Sequence, residues 1–278
     1  SEIAKKSAAE YSIDEVSSVL KKINNIFDLF HGGLKGSPKF PVFTVYDSLI
    51  YFYNKDKKEK YLKPIDLILK QLCSKGIYDQ VEGGISRYTV DEDWTVPHFE
   101  KMLYDNAQFV LLLSRYLKIK KNSYYESKII QTIEFINKNF INSDNGLLGS
   151  AFDADSEGEE GKYYTFSYDE LKNINDIEKY FEITEEGNWE GKIILKEITP
   201  PPEVILKQLI KIRQTKKKPF FDKKVQLDLN CLWVSALVSA DSVLPNRKYI
   251  EKAEIFYSNL DKIFLCNKEL YHTNSKSN

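Results

Sequence analysis

The run Gly76-Ile-Tyr-Asp-Gln-Val-Glu-Gly-Gly-Ile-Ser-Arg-Tyr-Thr-Val-Asp-Glu-Asp-Trp-Thr-Val-Pro-His-Phe-Glu-Lys-Met-Leu-Tyr-Asp-Asn106 is the densest gathering of chemically capable side chains in the sequence. Arg87 offers a planar fork that suits a carboxylate or vicinal hydroxyls. Tyr88 and Trp94 offer flat faces on which a sugar ring can stack. Histidine is the residue type that exchanges protons most readily near neutral pH, which makes His98 the candidate for proton transfer. A helix opening at Pro97 puts His98 and Asp105 two turns apart on one face and turns Glu100 away, toward Tyr104. On this reading His98 and Glu100 are catalytic candidates, and Arg87, Tyr88, Trp94 and Asp105 are substrate contacts. The plainer alternative makes His98 a tie between loop and helix end, and Glu100–Lys101 a surface pair.

A second cluster, Ser150-Ala-Phe-Asp-Ala-Asp-Ser-Glu-Gly-Glu-Glu-Gly161, sets Asp153 and Asp155 on one face of an extended stretch, with Glu160 beyond as a further substrate contact. Paired carboxylates can act as acid and base on a glycosidic bond. A calcium loop is not met, because the glycine and glutamate of an EF-hand are out of place, and no metal site is expected. A third cluster, Gly32-Gly-Leu-Lys-Gly-Ser-Pro-Lys-Phe-Pro41, lacks the P-loop pattern, and His31 beside it reads as a helix-end histidine.

Helical elements must position these loops. Apolar residues at spacings of three and four mark amphipathic helices over 12–30, around Tyr46–Tyr53, Tyr61–Leu72, Phe99–Leu117 and Ile129–Phe140. Residues 142–196 form a Gly- and acid-rich insertion with strand-like runs at Tyr163–Phe166 and Ile193–Leu195, and Ser167–Glu170 reads as a capping box. Helices follow from Pro202 to about Gln214, over Val225–Ala240 and over Tyr249–Phe264, before a frayed polar tail at 271–278. No strong sequence repeat accompanies the repeated helix–loop–helix unit.

With 278 residues the chain can bury one large core. Its formal net charge of −1 leaves no overall basic footprint for nucleic acid, and the lysine clusters 55–60 and 216–218 read as solvated surface. The three cysteines fit neither a zinc site nor CxxC chemistry, and Cys73 and Cys231 read as small core residues. No stretch reaches the ~18 apolar residues of a membrane span. The absence of a signal-like leader and of a disulfide framework points to the cytoplasm. No cofactor is implied. The 18 Tyr, 16 Phe and 3 Trp suit sugar binding, although an AT-rich genome enriches Tyr and Phe as well.

The three clusters, in this order, with Val96–Asn106 the most specific and Gly187-Asn-Trp-Glu-Gly191 beside them, resemble the thioredoxin-domain-containing family typified by spermatogenesis-associated protein 20. The resemblance spans most of 25–240. It implies an all-α (α/α)6 toroid of the six-hairpin glycosidase type, related to N-acylglucosamine 2-epimerases, here occupying 1–270 with the small β-rich insertion. It also implies a thioredoxin-like domain, which this chain does not carry. About nine helical segments stand against the about twelve of a full double ring, so an incomplete toroid is expected. The chain departs from the family pattern at Gln80, Glu82, Leu229 and Cys231.

Three functions follow as expectations. The first is a sugar-binding enzyme of epimerase or glycosidase type. The second is a non-catalytic carbohydrate- or protein-binding scaffold serving a thioredoxin-like redox domain. The third is a split gene product without activity of its own.

Overall fold

A computed structural model describes residues 25–273, except 143, 267 and 268, together with 18 and 22. Most of the helix expected over 12–30 and the tail 274–278 lie outside the described residues. What is described of 25–30 is turn and bridge rather than helix.

Among the described residues six long helices form two layers. Helix α1 (Phe43–Asp56) is backed by α2 (Leu62–Ser74). After the strands β1 (Tyr88–Thr89), β2 (Pro97–His98) and β3 (Lys101–Met102), α3 (Leu103–Leu117) is backed by α4 (Ser123–Asn139). The excursion that follows holds β4 (Ala151–Phe152), β5 (Asp155–Ser156), β6 (Glu159–Glu160), the short α5 (Tyr168–Leu171), α6 (Glu203–Arg213) and β7 (Phe221–Asp222). Helix α7 (Leu227–Asp241) is then backed by α8 (Tyr249–Phe264), which leads into the hairpin of β8 (Leu265–Cys266) and β9 (Glu269–Leu270).

Helices α1, α3 and α7 stand side by side as the inner row, and α2, α4 and α8 lie behind them. The core fills the space between the rows. Helix α3 is buried along almost its whole length because it is covered from both flanks and from behind. Among the described residues no helix is long and apolar enough to cross a membrane.

The helix–loop–helix unit does carry a repeat, visible in the loops rather than the helices. Each of the first three loops entering the inner row is pinned by one bridge: Phe27–Leu34, Tyr78–Ile85 and Ile141–Leu148. The second residue of each, Asp28, Asp79 or Asn142, accepts backbone N–H groups two or three residues on with its side chain, so an Asx turn starts each loop. Gly83 and Gly84 follow at φ 93° and 84°, and a Cβ on Gly84 would lie 2.7 Å from the Phe135 ring.

The inner helices are fastened to these loops in the same way. The Asn106 side chain accepts from Ile85 N and donates to Ile85 O, and Asn230 does the same to Leu148.

The excursion holds its own small core of Phe166, Leu171, Ile177, Phe181 and Ile193, capped by Ile205 and Leu209 of α6 and by Val81. The Ser167–Glu170 capping box is present. The runs Tyr163–Phe166 and Ile193–Leu195 meet through a single bridge, Phe166–Ile193, and form no strand.

One boundary is corrected. Residues 97–102 are extended, and α3 starts at Leu103, not at Pro97. Pro97, Phe99 and Lys101 point inward while His98, Glu100 and Met102 are half-exposed, a period of two. The fixed φ of proline suits this extended start as well as a helical one. Cys231 also differs from expectation: it is exposed, because Asn230 and Trp233 take the inward positions of that turn. Cys73 is fully buried, and burial pushes its thiol up to about 12.

Candidate functional site

The extended geometry of 97–102 gives His98 and Glu100 a common face, contrary to the helical reading. β2 pairs with β1, so Tyr88 lies opposite His98. The two rings stack at 5.0 Å, and Phe40 stacks on the far side of Tyr88 at 4.7 Å. The ladder ends at Glu160 on β6, whose carboxylate lies 2.7 Å from His98 Nδ1. A carboxylate at Nδ1 favours the tautomer with hydrogen there and leaves the lone pair on Nε2. Among the described residues Nε2 has no protein partner.

On the same face the Arg87 guanidinium donates to Glu100 Oε2 at 3.0 Å, and the Arg87 N–H donates to the Glu100 carbonyl. Behind this pair, in the first turn of α3, Asp105 is only 6% exposed, and its Oδ2 is buried without a hydrogen-bond partner. Burial pushes the Asp105 carboxyl up to about 8, with Glu100 adding to the rise and Arg87 opposing it. Burial thus favours the carboxylic acid over the carboxylate at Asp105, and the acid is the form that can donate a proton.

Asp153 precedes the β5–β6 hairpin that carries Glu160 and Asp155 lies within it, and both are exposed. The Asp153 carboxylate accepts the Ala154 N–H. The structure thus brings together Arg87, Tyr88, His98, Glu100, Asp105 and Glu160, with Asp155 opposite Glu160 in the hairpin.

Trp94 is not on this surface. It is fully buried, its indole N–H donates to the His31 carbonyl at 2.9 Å, and Gly33 is packed so tightly on its ring that a Cβ would approach to 2.5 Å. Its role is to lock the Gly32–Pro41 loop to the strand loop, so a stacking role toward substrate is ruled out. His31 is exposed beside Asp28, in a turn rather than at a helix end.

Beneath the site lies a charged knot that the sequence reading missed. Asp79 receives Lys101 Nζ at 2.7 Å and Arg213 Nη1 at 2.7 Å on both carboxylate oxygens, and all three residues are nearly inaccessible. Burial alone would raise the Asp79 carboxyl, but Arg213 and Lys101 outweigh it and hold it well below the usual carboxylate range. Lys101 is pushed down by burial, and Asp79 offsets only part of that. The Lys101 ammonium also lies over the Phe135 and Tyr164 rings. The knot ties the site loop, β3 and the end of α6 together, so that β2–β3 can present His98 and Glu100. Arg213 lies 134 residues from Asp79, and no local pattern announces that pairing.

Two of the family departures have structural roles. Gln80 donates to Cys73 O and Lys75 O and accepts from Lys128, and Glu82 accepts from the Tyr163 hydroxyl. A further pair, Asp228 Oδ1 and His272 Nε2 at 3.4 Å, sits at the start of α7 and was not anticipated. Among the described residues no group of His, Cys, Asp and Glu could hold a metal ion.

No family model matches the chain. An uncharacterized protein of Caenorhabditis elegans is 26% identical over 91% of this chain, and human spermatogenesis-associated protein 20 is 25% identical over 84%. The chain spans 42% and 36% of the lengths of these two relatives. In fold it is similar to a D-mannose isomerase, at TM-score 0.51 and 14% identity over 95% of this chain and 58% of that one. It is similar as well to an α-1,6-mannanase from Salegentibacter sp., at TM-score 0.53 and 10% identity over 89% of this chain and 53% of that one. By sequence the chain is similar to spermatogenesis-associated protein 20, and its fold is that of the six-hairpin glycosidase type of α/α toroid.

Proposed function

We propose that the chain binds a sugar over the face formed by His98, Tyr88, Arg87 and Glu100, and that it moves protons on that sugar. The observation that carries this reading is the pairing of Glu160 with His98 Nδ1 at 2.7 Å, on a face whose Arg87–Glu100 pair borders the buried Asp105. One group is set to accept a proton at Nε2, and the other holds a proton to give. A ring nitrogen open to accept a proton and a carboxyl that burial holds toward its protonated form can work as an acid–base pair. Epimerisation, isomerisation and glycoside hydrolysis all use such a pair. The fold is shared with a D-mannose isomerase and an α-1,6-mannanase, which supports the reading.

Tyr88 and Phe40 supply the apolar stacking surface and Arg87 the donor fork, while Asp153 and Asp155 flank the approach. The test is a panel of neutral mono- and disaccharides scored for binding and turnover, with His98→Ala and Asp105→Asn as controls. Binding or turnover weakened by both substitutions supports the proposal. No binding across the panel, or binding indifferent to both substitutions, returns the chain to the scaffold reading.

A further inference from the structure

Behind the hairpin that carries Glu160 lies an open basin of about 440 Å³. Adjacent residues of a strand point opposite ways. Glu160 of β6 reaches His98, whereas Glu159 reaches Lys192 on the basin side. None of His98, Tyr88, Arg87 and Glu100 lines the basin. It is bordered by four lysines, Lys162, Lys192, Lys216 and Lys217, against three acids, Glu157, Glu159 and Glu170. Lys162 is held by Glu157 at 3.0 Å and by Glu159 at 3.8 Å, Lys192 by Glu159, and Lys216 by Glu170 at 3.1 Å. Glu159 therefore serves two lysines at once. Lys217 has no acid partner among the described residues. Its backbone is fixed beside the hairpin, because the Ser156 hydroxyl donates to the Lys217 carbonyl at 2.5 Å.

Lys216 is not the solvated surface residue that its lysine cluster suggests. Its side chain is 16% exposed, and its ammonium donates to the Thr165 carbonyl at 2.7 Å and lies 4.7 Å from the centre of the Phe166 ring. Burial pushes this ammonium down, Glu170 offsets only part of the fall, and Arg213 and Lys192 add to it. This corner of the basin is thus short of negative charge. The pairs of Lys162 with Glu157 and of Lys192 with Glu159 are largely exposed, a class whose mutual hold is weak. An incoming anion can share their ammonium groups without first breaking a strong pair.

From this arrangement we propose that the basin is a binding site for a phosphoryl group, held by Lys216, Lys217 and Lys192. Toward phosphate a lysine acts as a point charge with three donors, so it needs no fixed fork geometry. The basin is roomy enough for free phosphate or for the phosphoryl end of a small metabolite. The site is separate from the His98 face and does not depend on the sugar-binding reading.

The experiment titrates the intact chain by calorimetry with inorganic phosphate and, in parallel, with a hexose 6-phosphate, at pH ~7.5 and at constant ionic strength set with chloride. Saturable binding of at least one of them is expected, weakened at least ~10-fold in the double variant Lys216→Gln with Lys217→Gln. Glu170→Gln should tighten it, because the change removes a competing acid and a glutamine still serves the Ser167 capping box. The same anion should raise the unfolding midpoint of the wild type and not that of the double variant. Equal affinities for the two probes identify free phosphate as the ligand, and a tighter hexose phosphate identifies a phosphorylated metabolite; either supports the site. Absence of saturable binding by both probes, or binding that the lysine variant leaves unchanged, overturns the proposal and leaves the His98 face untouched.

Discussion

The protonated state of Asp105 has a measurable consequence for stability. In an unfolded chain an aspartate loses its proton near ~4. In the folded protein burial pushes the Asp105 carboxyl up to about 8. Between these values the native state holds a proton that the unfolded state has released, so stability must fall as pH rises through that window and level off above it. The sign is opposite to that of a salt-bridged carboxylate. Each pH unit of difference is worth ~1.4 kcal/mol, so the full window sets a ceiling of ~6 kcal/mol, and relaxation around the ionised group leaves ~2–4 kcal/mol.

The groups facing Asp105 are Arg87, Glu100 and Tyr104, and none is replaced in Asp105→Asn. The amide keeps the shape and removes the charge. Urea unfolding should therefore show the variant close to wild type near pH ~5 and more stable by ~2–4 kcal/mol near pH ~9. Parallel stability profiles for the two proteins, or a variant that is less stable on the alkaline side, would refute the assignment of Asp105 as a buried acid.

Three further outcomes are expected. Asp79→Asn keeps the Asx turn but leaves Lys101 and Arg213 buried with only Glu82, 3.6 Å from Arg213, to offset their charge, and should cost ~3–5 kcal/mol in denaturant unfolding. A loss below ~1 kcal/mol would show that the knot is not a stability element. Glu160→Gln should release the His98 tautomer, so that nitrogen-detected NMR of the ring changes from hydrogen on Nδ1 toward a mixture; an unchanged ring spectrum contradicts the pairing. Asn230→Ala strips both partners from the Leu148 backbone and should cost ~2–4 kcal/mol, with unfolding still cooperative.

The helices were legible because their apolar spacing is regular. The expected Tyr249–Phe264 matches α8 at both ends, and the Ser167–Glu170 capping box is where its two polar residues place it. The segment 97–102 was misread because its inward positions are Pro97, Phe99 and Lys101. A buried lysine breaks the apolar–polar alternation by which a strand is recognised, and what makes it burial-compatible, Asp79, lies 22 residues upstream. Trp94 shows the same limit: a tryptophan between acids and glycines looks like a ligand platform until Gly33 and the His31 carbonyl are seen to enclose it. The residue types that the structure gathers on the His98 face could be read from the sequence. The geometry of that face could not, because it depends on Glu160 reaching His98 across 62 residues.

The two asparagine fastenings also dictate an order of assembly. Asn106 reaches back 21 residues to Ile85, whereas Asn230 reaches back 82 residues to Leu148, across the whole excursion. Closing the longer span costs more chain entropy, and the excursion must collapse before its ends can meet. The amino-terminal two-thirds can therefore consolidate first, with α7 and α8 arriving last. The Leu148 amide, sealed only by that final arrival, becomes a natural reporter: its hydrogen exchange reads the docking of the carboxy-terminal helix pair separately from the rest of the molecule.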